Sequence, residues 1–318
     1  MTFAGGVDLG GTKIQTVVWQ DGVVTGKGRV LTPRSGAEDV VEAIRETLRG
    51  AAYEAKVDLA DATGIGVGSP GTIVDGVVNQ ARNVPGMEVS FPLAEELSKA
   101  LGGLPVVLDN DVRVAMLGEH QAGSGRSYKN LLGVFCGTGV GGGLVLEDRI
   151  RTGRGSAGEI GHTLVADQGR ECSCGRRGCL EAYAGRGRIE AEARLRVRKG
   201  KKTILFDVMK ERKRDRLSSG TIATAIERGD KLAIELVDDA VWAMGIALAN
   251  AQNLLDLEAI IIGGGLGDRL GRPFIDRVGG AMAPHLHVPE SPPAMLGTEL
   301  GDLSGAVGAA LLALPAAT

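Results

Sequence analysis

The alternation of apolar and polar positions opens the chain as strand, turn, strand, turn, strand. The segments are FAGGVDL at 3–9, GGT, KIQTVVW from Lys13, QDG, and VVTGKGRVL from Val23. Asp21-Gly22 between two apolar runs is a hairpin signal. The period then lengthens to that of a helix: Val40, Val41, Ile44 and Leu48 share one face, Ser35 or Gly36 can cap it, and Glu38 and Asp39 fall in its first turn. Residues 63–67 and 106–108 read as buried parallel strands. They end at Gly68-Ser-Pro-Gly71 and Asp109-Asn110-Asp111, and ligand sites form at such strand ends.

The opening design recurs at 131–150, LLGVFCGTGVGGGLVLEDRI, where strand, Gly/Thr turn and strand are followed by a turn at Glu147-Asp148 into a third strand. Two copies of one pattern predict a duplicated architecture. Residues 230–255 carry a long helical pattern, LEAIIIGGGL is a buried strand entering the glycines at 263–265, and a last helix starts near Ser304. Residues 186–216 hold 13 Lys/Arg against 5 Asp/Glu and read as a solvated helical face.

Composition narrows the partners. A chain of 318 residues with 43% apolar and 24% charged content is long enough for two cored domains. A net charge of −3 argues against nucleic-acid binding, so small molecules are the expected ligands. No apolar run is long enough for a bilayer and no signal peptide is evident, so a cytoplasmic protein without membrane partners is expected. Four cysteines, three of them within eight residues, do not form a disulfide framework.

The candidate chemistry falls in four stretches. Asp8-Leu-Gly10-Gly11-Thr12-Lys13 sets a carboxylate at a strand end before glycines whose amides can face phosphate, with a hydroxyl and an ammonium beside them. Gly137-Thr138-Gly139 begins a second such turn, and the pair suits a nucleotide held from two sides. Neither is a Walker A sequence or a dinucleotide fingerprint. Asp111 lies at a strand-to-helix junction, where it is either a helix cap or a general base for a sugar hydroxyl. Cys172, Cys174, Cys179 and His162 make the Cys3His set of a closed, structural zinc site, which would hold Glu159 and Glu181 in place; Cys136, in an apolar strand, reads as packing.

Together DLGGTK at 8–13, GVGSPGTI at 66–73, RNVPG at 82–86, Asn110-Asp111, CGTGVGGG at 136–143, GEIGH at 158–162, CSCGRRGCLE at 172–181 and IIGGGL at 261–266 resemble the ROK family of sugar kinases and sugar-responsive repressors. The resemblance spans nearly the whole chain. It implies an actin-like, hexokinase-type ATPase fold of two α/β domains with a cleft between them, drawn here as 1–112 with 304–318 and as 113–303. It implies a kinase that transfers the γ-phosphate of ATP to the 6-hydroxyl of a hexose, glucose being expected, with Mg2+ as the nucleotide's partner and structural Zn2+. The alternatives are another hexose (fructose, mannose or an N-acetylhexosamine) or a non-catalytic sugar sensor.

By the same resemblance Asp111 is the general base, and Asn83, Asn110, Glu159, His162 and Glu181 contact the sugar, His162 also binding zinc through its other nitrogen. Asp8, Gly10, Gly11, Thr12, Lys13, Gly137 and Thr138 surround the phosphates and Mg2+, while Gly264 and Gly265 approach the adenosine. A dimer or tetramer is favoured. The repressors' DNA-binding domain precedes the DLGGTK-like segment, which begins here at residue 8, so a regulator is not expected. Two residues depart from the family pattern near the sugar end, Arg113 where Asn is frequent and Met87 where Trp is frequent.

Overall fold

The computed structural model describes residues 2–315. The outermost positions expected in the first domain, residue 1 and residues 316–318, lie outside the described residues. In chain order the elements begin with β1 (Phe3–Leu9), β2 (Lys13–Gln20), β3 (Val23–Leu31), α1 (Ala37–Ala55), β4 (Ile65–Ser69), β5 (Thr72–Val74), β6 (Val77–Asn79), β7 (Ser90–Phe91), α2 (Leu93–Ala100), β8 (Val106–Asn110) and α3 (Asp111–Ala122). There follow β9 (Leu131–Cys136), β10 (Val140–Leu146), β11 (Arg149–Arg151), α4 (Glu181–Ala184), α5 (Arg186–Arg198), α6 (Leu205–Glu211), α7 (Ser219–Glu227), α8 (Lys231–Leu255), β12 (Ala259–Gly263), α9 (Gly264–Met282), β13 (Ala294–Gly297) and α10 (Ser304–Leu312).

The duplication is carried by two five-stranded sheets of the same design, ordered β3-β2-β1-β4-β8 and β11-β10-β9-β12-β13. In each, an antiparallel three-stranded meander is extended on its first strand by two parallel strands. The chain divides into two compact units: one runs to Ser127 and adds Thr152–Gly155 and the chain from Glu299, the other holds Tyr128–Arg151 and Ser156–Thr298. The first unit thus extends past the expected 112, because α3 packs on α10 within it.

In the first unit α1 lays Val40, Val41, Ile44 and Leu48 on one sheet face, the stripe anticipated from their spacing. Gly36 is its N-cap, and the Ser35 hydroxyl instead bonds the carboxylate of Asp39. The opposite face receives Ala306, Val307 and Ala310 of α10 against Ala4, Val17 and Trp19. The helix comes close: a Cβ on Gly308 would lie 1.6 Å from the carbonyl oxygen of Val114 in α3. Strand β8 is not fully buried as expected, since Val107 on the sheet edge is 40% exposed. Met87 is fully buried in the first core, so it serves packing and is not available to a sugar. The second unit has one large core, in which α8 contributes Leu236, Val237, Met244 and Leu248 beside the strands.

Candidate functional site

In the first unit the parallel strands β1, β4 and β8 finish side by side, with Asp8 opposite Gly68 and Ser69 opposite Asn110. The polar residues between strand and helix therefore gather at one sheet edge, as doubly wound sheets require. Asn110 caps α3: its Oδ1 accepts from the N–H groups of Val112 at 3.0 Å and Arg113 at 3.3 Å, and its Nδ2 donates to the Gly71 carbonyl at 3.4 Å. The cap is Asn110, not Asp111, which is the first residue of the helix with Oδ1 held by Val112 N at 2.9 Å. That removes the capping explanation for Asp111. The buried Arg113 braces the same corner, its Nε donating to Asp109 Oδ1 at 2.7 Å and its Nη1 to the Gly155 carbonyl at 2.9 Å.

The Asp8 carboxyl is pushed up to about 7, first by burial and then by the negative charges of Asp111 and Asp302, with Lys13 opposing. Lys13 Nζ lies 3.2 Å from Asp302. A cation placed beside such a carboxyl, crowded by like charge at a strand end, would favour its ionised form. The adjoining turn closes through Gly10 N to Lys13 O at 2.9 Å, while Thr32 bonds the carbonyls of Gly10 and Thr12. Asn83 is pressed onto this turn: a Cβ on Gly11 would sit 2.4 Å from its carbonyl oxygen and 3.0 Å from its Nδ2.

In the second unit β9 and β12 also end in parallel, Phe135 opposite Gly263. The turn 137–139 between β9 and β10 is held by the start of α5, where Arg186 N reaches Gly137 O at 3.1 Å and Gly187 N reaches Thr138 O at 3.0 Å. Arg186 Nη2 donates to Thr138 Oγ1 at 2.9 Å. Gly264 has φ 75°, and a Cβ there would lie 2.7 Å from Cys136 N. A Cβ on Gly265 would lie 2.9 Å from Ser219 Oγ and 3.5 Å from Arg186 Nη1. Ser219 Oγ is itself buried without a hydrogen-bond partner. Gly137, Thr138, Gly264 and Gly265 are thus brought together with two residues that no local motif marks, Arg186 and Ser219. Arg186 was absorbed into the basic run, of which it is a half-buried exception, and Ser219 has no local motif at all.

The Cys3His set converges. The donor atoms of His162, Cys172, Cys174 and Cys179 all lie within 4.8 Å of one another. His162 Nδ1 is 3.8 Å from Cys172 Sγ, and the sulfurs of Cys174 and Cys179 are 3.8 Å apart. A tetrahedron with metal–sulfur bonds of about 2.3 Å has sulfur–sulfur edges of about 3.8 Å, the Cys174–Cys179 separation, so these four residues could hold a tetrahedral ion. Arg176 pulls the Cys174 thiol down to about 6, whereas burial pushes Cys172 up to about 12. Cys136 is fully buried and apart from the cluster, as its apolar strand implied.

Glu181 is buried, and both its oxygens are engaged: Oε2 accepts from Val140 N at 3.1 Å, and Oε1 takes the Ser173 hydroxyl and Cys172 Sγ. It therefore ties the metal loop to the turn 137–139. Glu159 is exposed, just before the single 3-10 turn Ile160–His162 that delivers the histidine. No helix among the described residues is long and apolar enough to cross a membrane.

Two meander-plus-parallel sheets with phosphate-type turns at their strand ends define the class, an actin-like ATPase fold. The ROK family model matches residues 4–316, and the chain belongs to that family. A glucokinase of Halalkalibacterium halodurans is 36% identical over 285 residues, covering 85% of this chain and 83% of the relative. An N-acetylmannosamine kinase of Yersinia pestis is 35% identical, covering 86% and 85%. The crystal structure of a ROK family glucokinase from Streptomyces griseus in complex with glucose and AMPPNP superposes with a TM-score of 0.81 at 31% identity, covering 98% of both chains. These relatives make the chain a sugar phosphotransferase.

Proposed function

We propose that the chain is an ATP-dependent hexokinase that transfers the γ-phosphoryl group to the 6-hydroxyl of glucose, with Asp111 as general base. The observation that carries this reading is the division of labour at the β8–α3 corner, where Asn110 caps the helix and Asp111 is held by a backbone N–H without being needed for the cap. A carboxylate oriented before the sugar arrives can accept the hydroxyl proton as the oxygen attacks phosphorus. Asn83, Asn110, Glu159 and His162 Nε2 would bind the sugar's hydroxyls. Glu181, already spent on the metal loop and Val140, would fix their neighbourhood as well as contact the sugar.

Gly10, Gly11, Thr12, Lys13, Gly137 and Thr138 would hold the phosphates, and Gly264 and Gly265, with Arg186 and Ser219, the adenosine. Asp8 would help hold the Mg2+ that accompanies the nucleotide, and that ion would neutralise charge developing on the phosphate oxygens. The thiolates of Cys172, Cys174 and Cys179 and Nδ1 of His162 would close a zinc shell, leaving the metal a structural role.

The test is a coupled assay of kcat/KM with ATP and Mg2+ over glucose, mannose, fructose, N-acetylglucosamine and N-acetylmannosamine, with Asp111→Ala as control. Glucose is expected to be preferred and the variant to lose several orders of magnitude in kcat with folding intact. Absence of turnover on every sugar, or an active Asp111→Ala, would refute the proposal. The N-acetylmannosamine kinase relative favours one second reading, the same transfer to an N-acetylated hexosamine, and the same assay separates the two.

A further inference from the structure

A cavity of about 550 Å³ lies in the second unit beside the cysteine loop, walled by Arg170 and Arg177 of the loop, Tyr183 of α4, and Arg188, Leu195 and Arg198 of α5. Its volume is that of a small-molecule site. Four guanidinium groups line it against the carboxylates of Glu171 and Glu192, and Glu192 is already engaged by Arg196 at 2.8 Å. Arg170 is oriented by Asp239 and stacks 4.7 Å above the Tyr183 ring, yet its Nη1 is buried without a hydrogen-bond partner. Arg188 is half-buried, and among the described residues neither it, Arg177 nor Arg198 has an ion pair. A buried donor left unmet is costly, and planar guanidinium forks match phosphate oxygens.

We propose that this cavity binds a phosphate dianion, free or as a small phosphomonoester, at a site separate from the residues assigned to phosphoryl transfer. Arg170 and Arg188 supply the donors on either side of the anion, and Arg177 joins them from the loop. Leu195 and Ala182 offer an apolar wall to the carbon skeleton of an ester. Because the backbones of Glu171 and Arg177 bridge antiparallel across the loop that carries Cys172 and Cys174, an anion bridging Arg170 and Arg177 clamps both sides of that loop. The assignment stands on the cavity and its unpaired donors and does not depend on which sugar is phosphorylated.

Trp242 packs edge-on against Tyr183 with centroids 5.5 Å apart, so its emission reports on this cavity. The full chain, saturated with AMPPNP and Mg2+ to occupy nucleotide phosphate sites, would be titrated with inorganic phosphate and with glycerol 3-phosphate. Wild type, Arg188→Ala, Arg177→Ala and the control Trp242→Phe would be compared. A saturable change is expected in wild type, absent from Trp242→Phe and weakened about tenfold or more by either arginine substitution. Tighter binding of the ester would assign the site to phosphorylated metabolites, and equal binding to free phosphate. No saturable change up to about 10 mM, far above useful affinity, or wild-type affinity retained in both arginine variants, would overturn the proposal.

Discussion

Glu119 offers the sharpest quantitative test of how the first unit is held together. It sits in α3, fully buried, and accepts five hydrogen bonds. Oε2 takes Ser124 N at 3.1 Å, Ser124 Oγ at 3.3 Å and Glu299 N at 3.0 Å; Oε1 takes Leu300 N at 3.0 Å and Ser304 Oγ at 2.6 Å. The helix that begins at Asp111 is thereby tied at its other end to the segment leading into α10. In Glu119→Gln the amide oxygen can keep the two N–H groups and the Ser124 hydroxyl on the Oε2 side, and the Ser304 hydroxyl can turn to accept from the new NH2. One backbone donor, Leu300 N, is then left facing an NH2 group, a cost of about 1–3 kcal/mol. Glu119→Ala strands all three N–H groups and opens a cavity, so about 4–5 kcal/mol is expected. Urea unfolding followed by circular dichroism would measure both. If Gln is indistinguishable from wild type, or costs as much as Ala, the donor-by-donor reasoning is wrong.

Cys174→Ser should release the zinc, measured by mass spectrometry of the purified protein, and weaken glucose binding before ATP binding; unchanged zinc content would refute the site as drawn. Gly308→Ala should cost about 3 kcal/mol or more, because its Cβ meets Val114 O at 1.6 Å, whereas Gly50→Ala in exposed α1, with nothing within 4 Å, should gain about 0.5–1 kcal/mol. Asp8 binds its proton more tightly when folded, so its contribution to stability is greatest below about pH 4 and is lost as pH rises towards about 7. Without nucleotide or Mg2+, Asp8→Asn should therefore be more stable than wild type at neutral pH, with the gap closing near pH 4. A pH-independent gap in urea unfolding would contradict the assigned shift.

The meanders, α1 and α8 were legible because their apolar periods are local and their turns carry Asp-Gly or Glu-Asp signals at the positions where the chain reverses. The Cys3His cluster was legible because its three cysteines are neighbours in sequence, so spacing alone brings them together. Glu119 and the engagement of Glu181 were not, since their partners lie far along the chain: Glu119 meets Ser304 185 positions away, and Glu181 meets Val140 across 41. A buried glutamate between apolar helix positions looks like any surface glutamate until tertiary packing supplies its donors. Met87 shows the converse, since a motif position that pointed to the sugar is filled by a side chain turned into the core. Motifs therefore marked the candidate groups for chemistry, while the groups that hold them in position are set by contacts distant in sequence. Arg113 joins the two classes. It lies two residues from Asp111, yet its guanidinium reaches Gly155, 42 positions on, so replacing it should disturb the corner presenting the base without touching substrate.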